Sequence, residues 1–291
     1  MIGAVFQVLA DLGLLESGPG RPYPPYNVHL LRKPNIEVFV GGGEFFHIKL
    51  ANAGDDSLAH EYDAMIEAYA VLPDRLSQPI AYRQLDGTNL LVTAGVRHRR
   101  AAPEVVHQPH PGVAGALNAY FETADKVFRS ADAERTHGGR VREVVSELAS
   151  NGIGEKLEHM RDALDLDFVD RLPRIKQHGD FTLNNMGLGD RGLVIFDWEE
   201  FGKECLPGLD LCMLIASSLA FEPERVARFF EDSESSPLRQ VVQRFCQTYE
   251  IEVAVFRGLV PLYLATFLRS KEANLYKSPV KQKTLNLISK L

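Results

Sequence analysis

Apolar and polar positions alternate along the first third of the chain, and over most of the remainder they recur every three or four residues. Ile36, Val38 and Val40 alternate with Glu37 and Phe39, Gly41-Gly42-Gly43 supplies a turn, and Phe45 to Leu50 runs back. That pattern, set within a strand-like stretch from Tyr26 to Leu50, predicts a β-hairpin with a glycine turn. Ser57 to Leu72 reads as a helix, because Leu58, Tyr62, Met65, Ile66 and Tyr69 fall on one face. Asn89 to Thr93 reads as a short apolar strand, and Met1 to Leu15 as a short amphipathic helix. Gly18 to Pro25 is a Gly/Pro-rich loop, and Arg97 to Gly112, rich in Pro and His, is a connector. Helical periodicity then covers Val113–Phe128, Arg140–Leu157, the end of a helix at Phe168–Arg171, Leu209–Leu219, Pro223–Glu231, Leu238–Tyr249, Val253–Leu268 and Lys281–Leu291. Pro261 is expected to kink the helix that contains it. Only His178 to Trp198 interrupts this run with strand character. The order, strands first and helices after, predicts an α+β protein of two lobes: a β-rich N-lobe over residues 1–96 and a mainly helical C-lobe over 97–291.

Composition narrows the functional classes. A chain of 291 residues, 45% hydrophobic, can bury one large core or two moderate ones. The formal net charge of −7 argues against nucleic acid or an anionic membrane surface as partner, since both demand a basic face. Cys205, Cys212 and Cys246 form neither a disulfide framework nor a CxxC pair, so reduced thiols and a cytoplasmic protein are expected. The N-terminal segment lacks a basic flank and contains Asp11, unlike a signal peptide. The apolar stretch from Gly258 to Phe267 is too short to span a bilayer.

The informative stretch is His178-Gly179-Asp180-Phe181-Thr182-Leu183-Asn184-Asn185, followed by Ile195-Phe196-Asp197-Trp198-Glu199. Each residue type is common in turns; the information lies in the composite spacing. Phosphoryl transfer asks for little covalent chemistry from a protein; it needs a positioned acceptor hydroxyl and cations over the phosphates. A carboxylate on a short loop, Asp180, can take or orient the hydroxyl proton. An amide oxygen and a second carboxylate, Asn185 and Asp197, offer the hard oxygen ligands magnesium prefers. Asp197 ends the apolar strand Leu193 to Phe196, a rigid place for a metal ligand.

This stretch resembles the catalytic signature of the aminoglycoside phosphotransferase and choline kinase-like family, relatives of protein kinases: HGDxxxxN, a strand ending in IDWE, then Gly and Asp-Leu. Here the tail is Phe201-Gly202 and Pro207-Gly208-Leu209-Asp210-Leu211. The resemblance follows element order over nearly the whole chain, with its specific motifs in His178–Leu211. It implies that Asp180 is the catalytic base or hydroxyl-orienting group, that Asn185 and Asp197 bind magnesium, and that His178 and Asp210 support the catalytic loop. Glu199 is a further candidate for metal or substrate. Regulated protein kinases carry Arg where Gly179 stands, so no activation-loop phosphate switch is expected.

Such a kinase also needs a cation on the phosphates and an acid that aims it. On the strand Phe45–Leu50, Phe46, Ile48 and Leu50 share one face, which sends Lys49 to the other. On the following helix, with 100° per residue and measured from Leu58 on the apolar stripe, Glu61 lies about 60° away, against about 140° for Asp63 and about 180° for Glu67. Glu61 is therefore the acid able to reach Lys49. The hinge Thr93-Ala94-Gly95-Val96 offers backbone groups, at Ala94 and Val96, to a nucleotide base. Two departures from the family pattern stand out. The turn Leu31-Arg32-Lys33-Pro34-Asn35 has no glycine, which leaves phosphate contact there to Arg32, Lys33 or backbone amides. His47 replaces the small or aliphatic residue usual two positions before the lysine, which leaves ATP and GTP both open as donor.

Other patterns have simpler readings. Gly187-Leu188-Gly189-Asp190-Arg191-Gly192 matches GxGxxG but precedes a strand, so it is a turn and not a dinucleotide site. His107 and His110 lack a third ligand. The basic run Arg97-His98-Arg99-Arg100 reads as a solvated connector, and Tyr249, Phe256, Tyr263 and Phe267, at helical spacing, as core. The chain is thus read as a magnesium-dependent kinase using ATP or GTP and acting on a hydroxyl of a small metabolite (a sugar, amino-alcohol or aminoglycoside-like molecule). Seven acids against two bases between His178 and Asp210 favour amine-bearing or neutral polyol acceptors. The competing readings are a non-catalytic nucleotide-binding scaffold of the same fold, and a kinase of protein or RNA.

Overall fold

The structure is a computed structural model that describes residues 2–15, 27–30, 35–40, 44–108, 110–129, 166–231, 236–270 and 279–291. The predicted helix Arg140–Leu157, the triple-glycine turn, the loop Gly18–Pro25 and the phosphate-loop candidates Arg32 and Lys33 lie outside the described residues. The chain divides into two compact units. The first is Met1–His98 with Gly189–Glu199, and the second is Arg99–Leu188 with Glu200–Leu291.

The first unit is built on an antiparallel five-stranded sheet. Its strands are β1 (Asn27–Leu30), β2 (Asn35–Phe39), β3 (Phe45–Asn52), β4 (Pro79–Leu85) and β5 (Thr88–Ala94), in the order β1-β2-β3-β5-β4. Register pairs Ile36 with Ile48 and Lys49 with Leu91. Helix α1 (Ile2–Asp11) packs Val5, Val8 and Leu9 onto Ile36, Val38, Ile48 and Leu50. Helix α2 (Ser57–Tyr69) covers the opposite face, the one that carries Lys49, and buries Leu58, Ala64, Met65 and Ala68. Alternation on β3 thus separates a dry face under α1 from a face that holds an ammonium. The predicted hairpin is present as β2 and β3, and β5 is two residues longer than its predicted span. Strand β4 is absent from the sequence reading. It begins at a proline and ends in exposed Arg83 and Gln84, as an edge strand tolerates, so it lacks the apolar run of β5. Strand β8 (Gly192–Ile195) also belongs to this unit, where the Ile195 N–H donates to the Arg75 carbonyl at 2.7 Å.

The second unit is mainly helical. Its described elements include α3 (Pro103–His107), α4 (Pro111–Val127), α5 (Leu166–Arg171), a 3₁₀ turn Leu183–Asn185, α6 (Leu209–Ser218), α7 (Pro223–Glu231), α8 (Pro237–Thr248), α9 (Val253–Ser270) and α10 (Pro279–Lys290). The predicted connector therefore contains the short strand β6 (His98–Arg100) and α3, with Pro103 at the first turn of that helix, where its missing N–H costs nothing. Strand β7 (Met186–Gly189) ends at the Asp190–Arg191 turn before β8, so the GxGxxG match runs from a strand through that turn into the next strand and opens no helix. Helix α6 is mostly apolar and buried almost throughout; α9 packs against it, and α8 packs against α4 and α9. Pro261 lies inside the single helix α9. Phe256, Tyr263 and Phe267 are core, while Tyr249 is half-buried. All three cysteines are buried free thiols. Among the described residues no single helix is long and apolar enough to cross a membrane.

Candidate active site

The candidate residues fall into two clusters, one in each unit. In the first, Lys49 leaves β3 on the face covered by α2. Its Nζ donates to Glu61 Oε1 at 2.7 Å, to Glu61 Oε2 at 2.9 Å and to Asp197 Oδ1 at 2.6 Å. Of the three α2 acids weighed from sequence, Glu61 is 1% exposed, Asp63 is exposed and Glu67 is half-buried. Glu61 Oε1 also accepts the Trp198 backbone N–H at 3.3 Å. The carboxylate is therefore tied to β3 and to the segment after β8 at once.

Asp197 adopts a left-handed backbone with φ of 64°, uncommon for a residue with a Cβ. Such strain costs of order 1 kcal/mol and accumulates where a side chain is being aimed. Burial pulls the Lys49 ammonium down, but the Glu61 and Asp197 carboxylates outweigh it and hold the group above the ordinary lysine value. Burial pushes the Glu61 carboxyl up against the pull of Lys49, with Asp197 adding repulsion. A cavity of about 60 Å³ beside this cluster is lined by His47, Thr93, Phe196 and Asp197 among others.

His47, the departure seen in the sequence, is shifted by burial and then by the neighbouring Lys49 to a pKa of about 4, from an ordinary 6.5. Its folded pKa lies below its unfolded one, so between about pH 6.5 and 4 the unfolded chain binds the extra proton and stability falls as pH falls. His47→Gln is expected to flatten the urea-denaturation profile across that window; an unchanged slope would remove His47 as its cause.

Of the hinge candidates, Ala94 ends β5 and its N–H donates to the Gln78 carbonyl at 2.9 Å. The Val96 carbonyl lies 2.8 Å from His98 Nδ1. Glu199 is half-buried in the same unit and contributes repulsion at Glu61.

The second cluster is the loop before and through the 3₁₀ turn. Asp210, in the first turn of α6, is buried. Its Oδ2 accepts the His178 N–H at 2.8 Å and its Oδ1 the Gly179 N–H at 3.0 Å. The Tyr120 hydroxyl on α4 donates to the same Oδ2 at 2.6 Å. Burial pushes the Asp210 carboxyl up, while His178 and these donors pull it back toward the anion. A carboxylate in the first turn of a helix is also favoured by the helix dipole.

His178 is buried, and its Nδ1 accepts the Asp180 N–H at 3.3 Å. Gly179 has φ of 82°, and a Cβ there would lie 2.9 Å from the Glu200 backbone oxygen. Glycine at this position has a local steric cause. Asp180 is half-buried, and its carbonyl accepts from the Thr182 N–H at 2.8 Å and Asn185 Nδ2 at 2.9 Å. With its amide nitrogen anchored there, Asn185 keeps its oxygen as the acceptor end.

Lys49, Glu61 and Asp197 are therefore brought together, as are His178, Asp180, Asn185 and Asp210. Sequence reasoning missed Tyr120 and the Trp198 amide. Tyr120 stacks on Phe181 with centroids 4.4 Å apart and sits in an apolar helical stripe, where it looks like plain core. His107 Nε2 bonds Ser218 Oγ at 2.9 Å. Among the described residues no group of three or more His, Cys, Asp or Glu side chains could hold a metal.

No family model matches the sequence, and no curated protein matches it. Solved structures, however, share its fold over nearly the full length of both chains. The described residues have the protein kinase-like fold of the aminoglycoside phosphotransferases, with a β-sheet N-terminal region and a helical C-terminal region. A Thermobifida fusca protein assigned as a fructosamine-3-kinase is 18% identical, with 97% of this chain and 96% of that one covered at a TM-score of 0.58. Wild-type aminoglycoside 2'-phosphotransferase-IIIa, solved with GDP, is 11% identical, with 99% and 98% covered at 0.58. A thermostable mutant of aminoglycoside phosphotransferase APH(4)-Ia, solved with ADP and hygromycin B, is 12% identical, with 97% and 96% covered at 0.57.

Proposed function

We propose that this chain is a small-molecule kinase that moves the γ-phosphoryl group of ATP or GTP onto a hydroxyl of a soluble metabolite. The observation that carries the reading is the Lys49 ammonium clamped by Glu61 and Asp197. A half-buried cation held by one fully buried carboxylate is a pre-aimed donor for phosphate oxygens. In this reading Glu61 aims Lys49, and Asp180 orients the acceptor hydroxyl and takes its proton. His178 and Asp210 hold the loop that carries Asp180. Ala94 and Val96 meet the base through their backbone; the Val96 carbonyl already faces His98, so Val96 would use its N–H.

The donor chemistry suits magnesium, which takes one or two protein oxygens and completes its shell with phosphates and water. Asp197 would supply a carboxylate oxygen and Asn185 its amide oxygen, with Glu199 as a further contact. Bound magnesium would supply positive charge over the phosphate oxygens. Nucleotides and aminoglycosides bound to the structural neighbours support a nucleotide donor and a small polyol or amine-bearing acceptor. The three buried thiols and the net charge of −7 support a cytoplasmic protein without nucleic-acid or membrane partners.

Calorimetric titration of ATP and GTP with and without magnesium tests the donor half. Wild type is expected to bind one of them with magnesium-dependent affinity, and Asp197→Ala to lose that dependence. Equal binding with and without the ion in wild type would contradict the assignment of Asp197.

A further inference from the structure

A cavity of about 340 Å³ lies wholly within the second unit, and neither Asp180 nor Asn185 lines it. Its walls come from α4, from Ile175 and Gln177, from Pro207 and Gly208, and from α8. Aromatic surface is contributed by Phe121, Phe245 and Tyr249. Four charged residues line it. Glu122 and Arg244 form an ion pair with each other, and Lys126 is exposed. Asp125 is half-buried, and its Oδ1 accepts the Tyr249 hydroxyl at 2.7 Å. Burial and Asp125 together raise the Tyr249 phenol, which therefore stays a donor. Asn118, also in the wall, carries a buried amide oxygen without a hydrogen-bond partner among the described residues.

The cavity therefore offers aromatic walls and a carboxylate whose donor among the described residues, the Tyr249 hydroxyl, is neutral. Those are complementary to a molecule with an apolar body and an ammonium group. We propose that this cavity is a binding site for a small organic amine, its ammonium on Asp125 and its apolar body against Phe121 and Phe245. The proposal does not rest on the kinase reading. Its walls adjoin the brace of the loop that carries Asp180. Gln177 precedes His178 and its Oε1 accepts the Asp210 N–H at 3.4 Å, and Gly208 precedes α6, with no room for a Cβ against Phe245 Cζ and Tyr263 Oη.

Calorimetry on the full chain with 2-phenylethylamine tests the site. Saturable binding is expected in wild type. Asp125→Asn keeps an acceptor for Tyr249 but removes the charge, and should weaken binding about ten-fold, the scale of one charge-assisted hydrogen bond. Its melting temperature shows whether the variant is folded. On wild type, the neutral analogue 2-phenylethanol should bind about ten-fold more weakly than the amine, an arm that needs no substitution. Absence of saturable amine binding, equal affinity for amine and alcohol, or tighter binding of the anion 3-phenylpropionate would each overturn the proposal.

Discussion

Asp180→Ala should lower turnover by roughly 10²–10⁴-fold, the range for removing a general base, while nucleotide affinity stays near that of wild type. Three hydrogen bonds that shape the loop at this point use the Asp180 main chain: its N–H donates to His178 Nδ1, and its carbonyl accepts from Thr182 and Asn185. Truncating the carboxylate leaves those anchors in place. Steady-state kinetics with a coupled assay, paired with a nucleotide titration, separates the two effects. Unchanged turnover in the variant would move the base elsewhere, and equal losses of turnover and nucleotide binding would point to a collapsed loop.

Asp210→Ala is expected to be the most damaging substitution to the fold. Two backbone N–H groups, from His178 and Gly179, and the Tyr120 hydroxyl converge on its two carboxylate oxygens, and the surroundings are buried. Alanine strands three donors, each costing about 1–3 kcal/mol when unsatisfied. They share one acceptor, so the losses are not additive. A fall of at least about 3 kcal/mol in unfolding free energy by urea denaturation is predicted, with Asp210→Asn falling between because one oxygen can still accept. Turnover should fall with it, since the loop that carries Asp180 loses its brace. A variant as stable as wild type would show that solvent or rearrangement satisfies those donors.

The parts legible in the sequence are those set by local periodicity. Alternation along β3 places Lys49 opposite Phe46, Ile48 and Leu50, and helix geometry selects Glu61 from three acids on α2; the structure buries that one. The spacing from His178 to Asn185 is likewise local, because one tight loop sets it. What stayed hidden depends on long-range neighbours. The Tyr120 hydroxyl meets Asp210 across 90 positions, and nothing in an apolar helical stripe announces that its one polar atom is committed. Strand β4 carries too little apolar pattern for an edge position to register, and the placement of Gly189–Glu199 with the first unit follows from tertiary packing, not from chain order. His47 was visible as an oddity, but its depressed pKa follows from burial that sequence does not report.

The central claim is transfer of a phosphoryl group to a hydroxyl. The most direct measurement follows label from γ-³²P-ATP and γ-³²P-GTP, with magnesium, onto a panel of sugars, amino-alcohols and aminoglycosides. The account predicts a phosphorylated product from at least one acceptor class with wild type, and near-background product with Asp180→Ala. Nucleotide binding without labelled product from any acceptor would contradict it and favour a nucleotide-binding scaffold.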